Sequence, residues 1–420
     1  MRKQQAFFSI ALMAAMVSSL AACGGKTSSP VTSTTSSDPI SSSVPVGQTG
    51  IGDGLTPDNP VFKGNTGTDE LDIYFLEMNY LYGDSILLKK GDFEVLIDAG
   101  QPADGPYVKA FLEEKVTDKR IDMLVTTHGH ADHIGGMAEA LEAVDDASLI
   151  VDFGYKKSGE GYTGYRAKRD ELQNRGAKYC SSYDSVNGNN TCQSTYYLTD
   201  DISVDVIDTG KYIETDKDWS SDPNLTSTTL LFHYKDFTFW TAGDLPTEGE
   251  RSVMQKGLVP ENITMYKAAH HGTNGGNTQD FLNRLNPKLI AISAARAGSY
   301  SMDGYEHKPS NPSGVSGHPH AEAIERFYKV PNIAQNLNVY WNMVNGTTKF
   351  TTTGENEAPT VQGSPTNRGY FLPNEKGEYV YNEETKQYEN KVTGEENLKF
   401  HESIVFKTRG YEKYLPTNQQ

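Results

Sequence analysis

His128-Gly129-His130-Ala131-Asp132-His133 follows the apolar run Met123-Leu124-Val125-Thr126 and precedes Ile134-Gly135-Gly136. Three of the chain's ten histidines fall within these six residues. The apolar run reads as a strand and residues 134–143 as a helix, which places the cluster in a tight strand-to-helix loop. Such a loop can aim several short side chains into one pocket. Imidazole suits zinc, iron and manganese, and a carboxylate adds hard-ligand character. As mere packing the cluster would be costly, because each buried polar group must be hydrogen-bonded or coordinated. The expectation is a metal centre; a surface cluster without function is the alternative.

Outward from this loop, strands and helices alternate. Leu71 to Glu77, Ser85 to Lys89 and Phe93 to Ile97 read as three strands joined by turns at Gly83-Asp84 and Gly91-Asp92. Pro106 to Lys115 suits a helix with Pro near its start. Further strands are expected near Leu149–Asp152, Ile202–Ile207, Thr228–Tyr234, Phe237–Thr241, Ile263–Lys267 and Leu289–Ser293, with helices at Thr163–Arg175, Gln279–Leu285 and Ala321–Tyr328. Hairpins mixed with helical crossovers fit a layered α/β sandwich better than a doubly wound sheet. One large domain is expected over residues 69–354. Residues 355–420, rich in Glu and Tyr, read as a small β-hairpin extension with no chemistry assigned.

The N-terminus reads as a processing signal over residues 1–22: Arg2 and Lys3, an apolar run too short to span a bilayer, then Leu20-Ala21-Ala22 before Cys23. Small residues before a cysteine resemble a bacterial lipobox, which implies a lipid on Cys23 and an extracytoplasmic, membrane-anchored protein. Residues 24–50 contain 13 Ser or Thr, too little apolar content for a core, so residues 23–68 are expected to be a flexible linker. The remaining cysteines, Cys180 and Cys192, flank a polar segment. In an oxidising compartment they can form a disulfide; two free thiols are the alternative. The formal charge is −17, a poor match for non-specific nucleic-acid binding, although a local basic patch is not excluded.

The motif resembles the signature of the metallo-β-lactamase superfamily, and its surroundings resemble one branch, the extracytoplasmic domain of ComEC-type competence proteins and their stand-alone relatives. The matching stretches are Gly83-Asp84-Ser85, Leu96-Ile97-Asp98-Ala99-Gly100, Ala131 to Gly136, Ala242-Gly243-Asp244, His270-His271-Gly272 and Gly317-His318-Pro319-His320, in the family's order. The resemblance implies an αββα sandwich holding two divalent metal ions, zinc or manganese. It assigns His128 and His130 to one ion, Asp132, His133 and His270 to the other, and Asp244 as the bridge. Asp132 and Asp244 would orient a metal-bridging hydroxide. His271 and His318 would hydrogen-bond a phosphate oxygen or protonate a leaving group. Asp98 would support a ligand histidine, or be a plain turn residue. The sequence departs from many superfamily members at Asn224, where a histidine is common. That leaves the first ion with two histidines and the bridge, and assigns Asn224 to substrate.

Such machinery hydrolyses several kinds of ester. Residues 155–179 hold seven Lys or Arg against three acids, interleaved with tyrosines. Tyr155, Lys156 and Lys157 are therefore expected to bind an anionic substrate beside the pocket; a solvated helix face with pairs such as Arg166–Asp170 is the alternative. The leading expectation is a phosphodiesterase acting on DNA or a teichoic-acid-like polymer, with membrane contact by lipid alone and no protein partner. A lactonase or β-lactamase, and a non-catalytic binding lipoprotein, are the other readings.

Overall fold

The computed structural model describes residues 55–78, 83–154, 161–212, 222–294, 318–364 and most of 397–419, with short fragments between 370 and 392. The first six strands are β1 (Leu71–Phe75), β2 (Ile86–Lys90), β3 (Phe93–Ile97), β4 (Arg120–Val125), β5 (Asp146–Asp152) and β6 (Lys178–Ser181). The next seven are β7 (Thr195–Tyr197), β8 (Ile202–Val206), β9 (Leu230–Tyr234), β10 (Phe237–Thr241), β11 (Met265–Lys267), β12 (Leu289–Ile292) and β13 (Val339–Trp341). β14 (Thr348–Thr352) and β15 (Thr360–Gln362) complete the main set. One sheet runs β15-β14-β1-β2-β3-β4-β5-β6 and the other β13-β12-β11-β10-β9-β8-β7.

Side-chain alternation along the strands explains the layering. On β4, Met123 and Val125 enter the core between the sheets, while Leu124 faces outward. Helix Gly105–Lys115 covers that outer face with Val108 and Leu112, and Tyr162–Asn174 adds Tyr165 and Leu172. On β10, Phe237 and Phe239 point between the sheets. Trp240 points outward, under Phe281 of Gln279–Leu285 and Phe327 of Ala321–Tyr328. The result is the αββα sandwich. β3, β4, β5 and β6 are parallel, and parallel neighbours require crossover connections. The helices supply two of these, leaving the loops after β3, β4 and β5 at the same sheet edge.

Three features depart from expectation. The domain begins near residue 55 and not at 69. Leu55 and Val61 belong to the inter-sheet core, and the N–H groups of Val61 and Phe62 donate to the carbonyls of Tyr197 and Leu198. Leu55 and the adjacent Val61 and Phe62 in a polar stretch carry no periodic signal, so composition hid them. The C-terminal region is also more than a hairpin appendage. Residues 360–362 extend the first sheet, and Phe400, Val405, Phe406 and Tyr411 join the outer core of the second. Finally, β6 and β7, absent from the sequence reading, are edge strands of the two sheets. The Cys180–Cys192 disulfide ties the chain where it crosses between them. Cys23 and the signal lie outside the described residues.

Candidate metal centre

The loop after β4 enters a short helix, Ala131–Ile134, whose first turn carries Asp132 and His133. Gly135 permits this tight turn. A Cβ there would stand 2.2 Å from the Ala131 carbonyl and 2.4 Å from Pro102 Cδ. The turn after β10 has the same logic: Gly243 has φ +50, and a Cβ would meet Thr127 Oγ1 at 2.7 Å, so the backbone of this turn packs directly on the loop after β4. Asp244 follows and is buried. His270 and His271 follow β11 with φ of 48° and 52°. Two successive non-glycine residues in the left-handed region are strained, at roughly 1–3 kcal/mol each. The surrounding fold holds them there, which sets where the two rings point.

Asp244 is the centre of the arrangement. Its Oδ1 lies 3.2 Å from His133 Nε2, and its Oδ2 lies 3.4 Å from His271 Nε2, 3.6 Å from His270 Nε2 and 3.8 Å from His128 Nε2. Two donor groups share it. Asp132, His133, His271 and Asp244 form one; His128, His130 and Asp244 form the other, with the ligand atoms of each group within 4.8 Å of one another. The expectation for the last histidine is corrected here. His271 joins Asp132, 3.2 Å away, whereas His270 stands beside the group and is partly exposed. The order of two adjacent histidines depends on local φ, which no sequence pattern reports.

Behind the donors stand further carboxylates. Asp98 accepts from the Thr127 N–H and hydroxyl and contacts His133 Nδ1 at 2.7 Å, so His133 presents Nε2 to the centre. His271 Nδ1 donates to the Ser293 carbonyl at 2.8 Å and lies 3.3 Å from Asp84. Asp84 is ion-paired with the fully buried Lys267. Asp84 entered the sequence reading only as part of a motif, and Lys267 was missed; its signal was a lysine closing an apolar strand.

The residues fit divalent ions. Asp244 Oδ1 and His133 Nε2 are buried and face each other, yet neither is in hydrogen-bonding geometry with any partner, as expected of donors aimed at a common cation. Charge tells the same story. Burial works against the imidazolium of His133 and His271, but Asp244 together with Asp98 or Asp84 outweighs it and raises both well above the usual range. Burial would raise the Asp244 carboxyl, but His271, His133 and His270 hold it well below the carboxylate range. Divalent ions would compensate these carboxylates with both rings neutral.

Residues 78–245 match the metallo-β-lactamase superfamily, and they hold five of the six donors of the two groups, His271 being the sixth. This stretch resembles a metallo-β-lactamase superfamily domain. ComE operon protein 3 of Bacillus subtilis (strain 168) is 26% identical over 184 residues, which are 43% of this chain and 21% of that protein. The chain thus matches about a fifth of that relative's length. Among solved structures, the metallo-β-lactamase fold protein YhfI from Bacillus subtilis is 14% identical with a TM-score of 0.33, covering 54% of this chain and 86% of that one. Human tRNase Z, short form, is 13% identical with a TM-score of 0.31, covering 53% and 92%.

Other expected site residues stand around this centre. The His318 ring is 5.4 Å from that of His270 and 5.8 Å from that of His271. Burial, aided by His271 and His270, lowers its pKa to about 3. Asn224 follows Asp222, whose side chain caps the turn Pro223–Thr226. This segment meets the centre where Ser227 Oγ accepts from the Asp244 N–H and the Thr228 N–H donates to the Thr127 carbonyl. Asn224 is buried and its Oδ1 has no hydrogen-bond partner. Tyr155, Lys156 and Lys157 lie outside the described residues. Past them, the basic helix is ion-paired: Arg169 with buried Asp152, Arg166 with Asp170, and Arg175 and Lys168 with Glu171. The solvated-face reading describes this helix better than a cationic lip does.

Proposed function

We propose that the chain is a metal-dependent phosphodiesterase, anchored outside the cytoplasm through Cys23 and acting on DNA or a cell-envelope phosphodiester. The observation that carries this reading is the sharing of buried Asp244 by two donor groups. His128, His130 and Asp244 would hold one divalent ion; Asp132, His133, His271 and Asp244 would hold the other. Bound together, such ions supply Lewis acidity and a nucleophile at neutral pH, and they neutralise a phosphate's charge. Asn224 brings a buried side-chain amide to this neighbourhood, whose NH2 group can donate to a phosphate oxygen. His318, neutral at pH 7 by its depressed pKa, would act as a hydrogen-bond donor to a phosphate oxygen and not as a charged acid. Among the described residues no helix is long and apolar enough to cross a membrane.

The test is hydrolysis of bis(p-nitrophenyl) phosphate by the full chain, stripped of metal and then resupplied with manganese or zinc, with Asp132→Ala as control. Metal-dependent turnover that the control lacks supports the proposal, and DNA and teichoic-acid substrates then separate the two sources. A folded, metal-loaded chain without turnover would refute the substrate class, and lactones and β-lactams would be tried next.

A further inference from the structure

Lys267 has no part in the chemistry above, yet it is fully buried at the end of β11. Its Nζ pairs with Asp84 Oδ2, donates to the Gly243 carbonyl at 3.0 Å and stands 3.9 Å from Asp244 Oδ1. Gly243 is the residue whose positive φ turns the chain into Asp244. Asp84 in turn lies 3.3 Å from His271 Nδ1 and 3.7 Å from His133 Nδ1. One ammonium therefore grips the turn that carries the shared carboxylate and the carboxylate behind two of the rings.

Burying an ammonium is strongly unfavourable unless it is paired and hydrogen-bonded. Methionine would fill much the same space without that cost, so packing does not account for the residue. Asp84 adds a second argument. With Asp98 and His133 it forms a third group whose ligand atoms lie within 4.8 Å of one another. Lys267 supplies the cation that this carboxylate faces, and so keeps Asp84 as an orienting partner and not a competing ligand.

We propose that Lys267 is a positioning residue for the metal centre: it fixes Asp244 through the Gly243 carbonyl and confines Asp84 to its place behind His271. The proposal rests on the metal-centre reading above. Its test uses the full chain, stripped of metal and titrated with zinc against a chromophoric chelator, alongside melting of the metal-free protein. Zinc affinity in Lys267→Met is expected to fall by about tenfold or more, the scale on which outer-shell partners act. In Lys267→Met/Asp84→Asn it is expected to fall below that of Asp84→Asn alone, while the metal-free melting of this charge-balanced variant stays close to wild type. Wild-type affinity in folded Lys267→Met, or equal affinity in the double variant and Asp84→Asn, overturns the proposal.

A second measurement needs no variant at the site. With lysines 15N-labelled, the shielded ammonium signals are those of Lys90 and Lys267 among the described residues, and Lys90→Arg assigns them. The Lys267 signal is expected to shift on zinc addition; an unmoved signal in a zinc-bound chain counts against the proposal. A wild-type chain that binds neither zinc nor manganese would instead remove the metal-centre reading itself.

Discussion

Asp98 Oδ2 and His133 Nδ1 are 2.7 Å apart in a buried pair, and this contact fixes which imidazole nitrogen reaches Asp244. Asp98 holds φ 57° and also accepts from both the N–H and the hydroxyl of Thr127. It therefore locks the loop after β4 and the ring of His133 together. Asp98→Ala is expected to weaken metal binding by about 10–100-fold, as outer-shell losses do. Chelator competition measures this directly, and an unchanged dissociation constant would reduce Asp98 to a turn residue.

The two adjacent histidines should behave differently. His271 belongs to the group with Asp132, His133 and Asp244, and His270 does not. Removing a donor exceeds the effect of removing an outer partner, so His271→Ala is expected to lose more than about 100-fold in affinity for one ion. His270→Ala should retain the wild-type metal content after dialysis. Metal content by elemental analysis decides it, and the reverse pattern would restore the assignment that family resemblance implied.

Stability should carry a pH signature far from the metal centre. Burial pushes Glu94 from 4.5 up to about 7, against the opposing pull of its ion-pair partner Lys89. Burial likewise raises Asp122 from 3.8 to about 6. Between about pH 4.5 and 7 the folded state keeps a proton on Glu94 that the unfolded chain has released, so this group makes stability fall as pH rises. Glu94→Gln should gain on wild type across that window, leaving the Asp122 contribution at lower pH. Urea midpoints at pH 5 and 7.5 test this; parallel shifts of the two proteins would show that Glu94 does not titrate there.

Truncation at residue 69 should destabilise the domain. Leu55 and Val61 are buried, Phe62 packs edge-on to Phe93, and the carbonyls of Tyr197 on β7 and Leu198 beside it lose the N–H donors of Val61 and Phe62. Each well-buried large apolar side chain contributes roughly 1.5–3 kcal/mol, less the cost of ordering the segment. The expected loss is a few kcal/mol in denaturant unfolding of residues 69–420 against 55–420. Equal midpoints would mean that the segment docks without stabilising.

Much of the fold was legible because strand and helix periods are local properties. β3 and β10 and the helices Gln279–Leu285 and Ala321–Tyr328 occupy the residues their apolar patterns mark. β6 and β7 escaped because they are short edge strands, and residues 55–62 because three apolar side chains set no period.

For the site, sequence alone determined the donor chemistry: the histidines and aspartate of residues 128–133, spaced on one loop, and Asp244 at a strand end. Tertiary structure alone decided how those donors are shared. His271 takes the inner position over His270 because two left-handed residues turn its ring toward Asp132. Lys267 reaches Asp84 from 183 positions away in the chain, and within the basic stretch expected over residues 155–179 the helix Tyr162–Asn174 pairs its Arg166, Lys168 and Arg169 with carboxylates. These outcomes depend on distances between segments remote in sequence, which a linear pattern does not contain.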